Sequence, residues 1–148
     1  MADHFKPLEQ DAWGGFLGTY ARFNRLIEAD LQAYSRLTHV EFEVLLRLSW
    51  TDDHRLRIQD LTAQSILTQS GMSRAVERLE KAGLVTRESA SEDRRGAYAV
   101  LTAAGLERFN TAIQAHVAFV REHFLRHFNE AELQQMAEFW HRLEASQD

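Results

Sequence analysis

Thr68, Gln69, Ser70, Ser73, Arg74 and Arg78 set hydroxyl, amide and guanidinium groups along one short stretch of chain, and Arg87, Asp93, Arg94 and Arg95 follow soon after. Neither Ser70 nor any other hydroxyl has a histidine and acid spaced to activate it. There is no glycine loop for phosphate and no pair of catalytic carboxylates, so no enzymatic activity is expected. What these side chains share is donor capacity toward a polyanion. Arg74 can present a two-donor fork to guanine O6 and N7, Gln69 suits adenine, and the hydroxyls of Thr68, Ser70 and Ser73 suit bases or phosphates. Arg78, one turn beyond Arg74, is expected on phosphate. Arg94 is also expected on phosphate and Arg95 in a minor groove. Asp93 cannot favour a polyanion directly, so it is expected to pair with a nearby arginine, Arg87 being the candidate, and to set the loop. Taken singly, each arginine reads as solvated surface; their order along the chain weighs against that.

The elements that must hold these groups follow from caps and periodicity. Thr68 caps a helix whose inward face is Met72, Ala75, Val76 and Leu79, and Gly83 stands where a left-handed stop is expected. Leu84 to Glu88 and Ala97 to Leu101 have strand character around a polar loop. A capped helix followed by a basic-tipped hairpin is the pattern of a winged helix-turn-helix. Upstream, apolar residues at three-and-four spacing from Trp13 to Tyr34 predict a long helix. Thr38 with Glu41 forms a capping box for a second helix, and a polar stretch from Thr51 to Arg57 ends it. A short helix is expected from Ile58 to about Ile66. Thr102 opens a long helix to about residue 127, and Asn129 with Glu132 caps a last one. The expected fold is mostly α with a small β-hairpin wing. It forms a single domain, with the winged helix-turn-helix at about 38–101 and dimerisation helices at about 5–36 and 102–146.

Composition bounds the reading. At 148 residues, 45% hydrophobic and 26% charged, the chain suits one globular domain. No apolar run approaches a membrane span of about 20 residues. The opening MADHFKPLEQ lacks a basic region followed by an apolar stretch, so no secretory signal is expected and a cytoplasmic location is. The absence of cysteine excludes disulfides, thiolate metal sites and thiol redox sensing. Net charge is −5, which at first counts against a nucleic-acid partner. Screening confines exposed charges to about 8–10 Å, however, and the centre of the chain is basic while its acidic excess lies toward both ends.

In order and spacing, these motifs resemble the MarR family, the multiple-antibiotic-resistance type of bacterial regulators. The resemblance rests on Leu67, Thr68, Ser70, Ser73 and Arg74, then Leu79, Glu80, Gly83, Leu84 and Val85. It continues through Asp93 and Arg95 to Leu101, Thr102 and Gly105, with Leu37 and Thr38 opening the second helix. Gly71 departs from the family, standing where a β-branched residue or alanine is usual; it is read as a helix cost of about 1 kcal/mol or as room for a DNA backbone. Gln69 departs too, where proline or lysine is frequent. The resemblance implies a regulator that represses transcription by occlusion and is released by a ligand or an oxidant.

The wide aromatic stripes of the terminal helices exceed what the small winged unit can cover, so a homodimer with interleaved terminal helices is expected. An intramolecular bundle is the alternative. A two-fold dimer would read a pseudo-palindromic operator in double-stranded DNA, with half-sites about 10 base pairs apart. For an effector, an aromatic small molecule is expected; the resemblance implies a place between dimer helices and winged unit, where Trp13, Phe16, Tyr20, His39, Trp50, Phe109 and His116 are the candidate lining. Each of these aromatics reads more simply as core packing. His123 and His127 stand four apart, with His116 one heptad before His123. Without cysteine or a clear acidic cluster they read as surface, and no metal or cofactor is expected. A winged-helix module that binds a protein or ligand without reading DNA remains the alternative function.

Overall fold

The computed structural model describes residues 4–65, 67–89 and 96–146. Its elements run α1 (Pro7–Ser35), α2 (His39–Ser49), β1 (Arg55–Arg57), α3 (Ile58–Ala63), α4 (Gln69–Lys81), β2 (Val85–Ser89), β3 (Ala97–Leu101), α5 (Ala103–His123), a 3-10 turn at Leu125–His127 and α6 (Glu130–Ala145). The three strands form one antiparallel sheet in the order β1-β3-β2. Among the described residues, no helix is long and apolar enough to cross a membrane.

Helix starts coincide with side chains that satisfy the free N–H groups of a first turn. Thr38 and Glu41 exchange hydrogen bonds at 3.1 and 2.9 Å, and Asn129 and Glu132 do the same at 3.0 and 2.8 Å. Thr68 Oγ1 accepts from the Gly71 N–H at 3.2 Å, and Thr102 Oγ1 from that of Gly105 at 3.0 Å. α1 begins earlier than its apolar periodicity suggests. Pro7 occupies the first position, where a missing N–H costs nothing, and the Glu9 carboxylate accepts from the Lys6 N–H at 2.9 Å.

Helix α4 ends on Gly83, whose φ of +73° is open to glycine at little cost. The Gly83 N–H bonds the Glu80 carbonyl and the Leu84 N–H bonds the Leu79 carbonyl, both at 2.9 Å, the paired pattern of a Schellman stop. Thr102 then ties this stop to α5. Its hydroxyl donates to the Gly83 carbonyl at 2.7 Å, and its N–H donates to the Leu84 carbonyl at 3.1 Å. A second tie holds the end of α1, where Arg108 of α5 donates to the Ser35 carbonyl at 3.0 Å.

The core lies under α2–α4 and the sheet, where Leu45, Leu48, Leu61, Val76 and Ala99 are fully buried. α5 reaches it through Phe109 and Ala112, and α1 through Leu31, with Ile27 partly buried against it. By contrast α6 buries no residue, and Trp13, Phe16, Tyr20, Phe139 and Trp140 are all exposed. The sequence did not predict β1. Only Leu56 of its three residues points inward, too little to register as a strand until β3 pairs with it. Helix α3 is also shorter than expected, ending at Ala63.

Candidate nucleic-acid interface

Helix α4 is fixed from behind and open in front. Met72, Ala75, Val76 and Leu79 are buried, whereas Gln69, Ser70, Arg74 and Arg78 are exposed and Ser73 is half-buried. Thr68, besides capping the helix, lies 3.2 Å from the Ser70 hydroxyl. Arg74 makes no hydrogen bond or ion pair among the described residues, so its fork of donors is available to a ligand. Further along the helix, Lys81 bonds Glu77 at 2.9 Å and holds its carboxyl below the usual carboxylate range, which offsets the negative charge on that side. Gly71 has a reason internal to the protein. A Cβ there would sit 3.3 Å from Thr68 Oγ1, tight against the cap itself.

Two arginines have structural partners. Arg78, expected on phosphate, gives its Nε to Glu41 at 2.8 Å. The cause lies in α2: one oxygen of the buried Glu41 carboxylate closes the Thr38 capping box, and the other faces α4 and needs a donor. Arg87 bonds the Ser73 carbonyl at 2.9 Å and approaches Glu80 at 3.4 Å, pinning β2 to α4. Its expected partner Asp93 lies outside the described residues, as do Arg94 and Arg95.

Sequence reasoning missed Arg55 and Arg57. The guanidinium of Arg55 lies 4.0 Å and that of Arg57 5.3 Å from the centre of the Tyr98 ring. The alternation Arg-Leu-Arg was the available signal, since period two puts both arginines on one face of a strand.

Within this chain the seven residues expected to line an effector crevice do not come together. Phe109 is in the core against Phe42, with ring centres 5.8 Å apart. Trp50 is 71% exposed at the end of α2. Trp13, Phe16 and Tyr20 lie along the exposed face of α1, where Phe16 meets Trp140 of α6 across 5.8 Å. Phe16 and Tyr20 help line an open groove of about 600 Å3 between α1, α5 and α6, together with Phe23, Phe124, Met136 and Trp140.

His39 and His116 do share a neighbourhood, the junction of α1, α2 and α5. The His39 backbone N–H donates to Glu28 at 2.7 Å, and its ring Nδ1 lies 2.9 Å from Asn24 Oδ1. His116 packs on Phe42 at 4.9 Å. Its Nδ1 and the Oδ2 of Asp30 are buried without a hydrogen-bond partner among the described residues. Burial pulls His116 below the ordinary imidazole range and His39 adds to the effect, while Asp30 opposes it. Burial pushes Asp30 up, against the pull of His116 and His123. His123 and His127 do not share one helix: α5 stops at His123, and His127 belongs to the following 3-10 turn. Among the described residues no group of three or more His, Cys, Asp or Glu side chains is placed to hold a metal.

The depressed His116 has a testable consequence. Above its unfolded pKa of about 6.5 the ring is neutral in both states and the protein has the full benefit. As pH falls from there through the lower folded value, the unfolded chain takes the proton first and stability is lost. Asp30 acts with opposite sign at lower pH: its raised pKa favours the fold below about pH 3.9, and that contribution fades as pH rises through the folded value. The melting temperature should therefore fall between pH 7.5 and 5.5. His116→Phe should remove most of that slope, and an unchanged slope in the variant would place the proton elsewhere.

The family model for the MarR family matches residues 37–96. No curated protein matches the sequence. Among solved structures, AbsC, a MarR family transcriptional regulator from Streptomyces coelicolor, is 32% identical, with a TM-score of 0.90 over 98% of this chain and 97% of its own. Sco3205, a MarR family transcriptional regulator from the same organism solved in complex with DNA, is 27% identical, with a TM-score of 0.92 over 98% of this chain and 91% of its own. With that identity sustained over nearly the full length of both chains, and the capped helix and Schellman stop at the matched positions, the chain belongs to the MarR family of transcriptional regulators.

Proposed function

We propose that this regulator acts in the cytoplasm as a homodimeric repressor, reading a pseudo-palindromic operator through residues of α4 and the wing. Arg74 carries the proposal: a guanidinium without a partner among the described residues, on the open face of a helix whose opposite face is fully buried. Gln69, Ser70 and Ser73 flank it as further readers of bases or phosphates, and Arg94 and Arg95 serve the neighbouring backbone and minor groove. Arg78 contributes with its terminal nitrogens only, its Nε being committed to Glu41. The winged unit at about 38–101 reads, and the helices at about 5–36 and 102–146 dimerise. The open apolar groove between α1, α5 and α6 supports a second copy, because water-exposed aromatics on this scale are costly unless covered. For release from DNA we propose an aromatic small molecule. The junction of α1, α2 and α5 supports it, with Phe42 packed on His116, whose buried Nδ1 has no hydrogen-bond partner among the described residues.

A gel shift with the DNA upstream of the protein's own gene, run at two salt concentrations, tests the reading. Binding should weaken steeply with salt. Arg74→Ala should weaken it about tenfold or more per half-site, and the Arg74→Ala, Arg95→Ala double variant should lose it while sedimenting as a dimer. Wild-type affinity in the double variant would overturn the assigned surface. No shift with any promoter fragment would favour a module that binds a protein or ligand instead.

A further inference from the structure

The outer face of the sheet is laced together by residues with no assigned role. Along the strands, Leu56, Ala99, Leu101 and Val85 turn toward the helices, so Arg55, Arg57, Tyr98 and Glu88 share the opposite face. Register sets Tyr98 of β3 directly between Arg57 of β1 and Glu88 of β2. Arg57 Nε donates to the Tyr98 hydroxyl at 3.3 Å, and both guanidinium groups lie over the ring. Arg55 also reaches Glu88 at 3.5 Å, so the contacts cross all three strands. Both arginines and the tyrosine are half-buried, a setting in which a cation over an aromatic face is less screened than in open water.

The position of this clamp gives it a consequence. Arg57 is the last residue of β1 and immediately precedes α3, with no linker between them. The clamp therefore ties β3 to the start of the first helix of the helix-turn-helix. On the inner face Arg87 ties β2 to the second, α4, through Ser73 and Glu80. We infer that Tyr98 is a positioning residue for DNA recognition: gripped by Arg55 and Arg57, it fixes the β2–β3 hairpin to α3, so that wing and recognition helix meet the duplex as one rigid unit. The inference rests on the DNA-reading function proposed above. Tyr98 itself touches no base; it acts by holding the angle at which the wing reaches the groove beside the one α4 enters. A ring alone would stack, but only tyrosine also supplies the hydroxyl that accepts from Arg57.

The test uses the full-length protein, two duplexes and hydrogen exchange. One duplex is a bound upstream fragment. The second carries altered base pairs only in the flanks that lie beyond the reach of α4. The unsubstituted protein should prefer the first. Tyr98→Leu should lose roughly fivefold of that preference, with its affinity for the second duplex little changed. Tyr98→Phe should retain most of it. In the free protein, amide exchange in β2 and β3 should quicken in Tyr98→Leu while α4 stays protected, a pattern that a general loss of stability would not give. Equal losses on both duplexes, or unchanged exchange in the hairpin, would overturn the inference. If Tyr98→Leu fails to fold, Tyr98→Phe with Arg57→Lys carries the same comparison. Failure of the unsubstituted protein to bind DNA would instead remove the regulator reading, with the exchange data still reporting on the clamp.

Discussion

Replacing Gly105 with alanine should destabilise the protein by about 3 kcal/mol, the upper range of an overpacked site. The melting temperature should fall roughly 6–12 °C in consequence. Helix propensity alone predicts the reverse sign, because alanine is favoured over glycine in a helix by about 1 kcal/mol. The difference is steric. A Cβ at Gly105 would overlap the Leu84 carbonyl oxygen outright and lie 2.8 Å from Leu101 Cδ1. The carbonyl cannot retreat freely, since it also accepts from the Thr102 N–H and follows the Schellman stop of α4. Gly71 supplies a matched control. It occupies the same third position behind a threonine cap, yet its nearest obstacle is the Thr68 hydroxyl at 3.3 Å. Gly71→Ala should change stability by less than about 1 kcal/mol, propensity and crowding nearly cancelling. Thermal melts of the two variants side by side decide the matter. A Gly105→Ala protein as stable as Gly71→Ala would mean that α5 does not approach the Leu84 backbone this closely.

Glu41→Ala is the second large effect, at about 2 kcal/mol. The substitution removes half of the α2 capping box, typically about 1 kcal/mol, and the acceptor for Arg78 Nε. A hydrogen bond to a charged group contributes about 1.5–3 kcal/mol. Here the lower end applies, because the Arg78 side chain is 53% exposed and recovers water when its partner is gone. Arg78→Ala should cost less, leaving the Glu41 carboxylate the Thr38 N–H as a partner. Urea denaturation with an unchanged slope gives these values directly. If Arg78→Ala proves silent in stability but weakens DNA binding, its guanidinium belongs to phosphate, not to Glu41.

How much of this was legible in the sequence depends on how local the cause is. Thr38 with Glu41, Thr68, Thr102, Asn129 with Glu132, and the Gly83 stop act within a few residues, and all mark helix ends in the structure. The first terminal helix, expected at about 5–36, runs over Pro7–Ser35; its apolar periodicity is visible only from Trp13, and Pro7 and Glu9 set the boundary before it. β1 exists only through its ladder with β3, more than forty positions along the chain. Arg78 was read from its place on an exposed helical face. Its destination depends on how α2 crosses α4, and no spacing rule encodes that crossing. The effector lining failed to converge for a related reason. Phe109, Phe16 and Trp50 look alike in sequence, and only packing sends one to the core, one to a groove and one to water.

The joint at Thr102 and Gly105 fixes more than a distance. An α-helix turns 100° per residue, so the place where α5 is clamped sets the angular phase of everything after it. One residue inserted between Gly105 and Phe109 would swing Phe109 away from Phe42, and would rotate Val120 and Phe124 off the groove they line with α1 and α6. A deletion would turn them the other way. The winged unit and the aromatic stripe are thus indexed to each other like two teeth on one shaft. Length changes between them should be tolerated only in multiples that restore the turn, such as seven residues, which return the stripe to within about 20°.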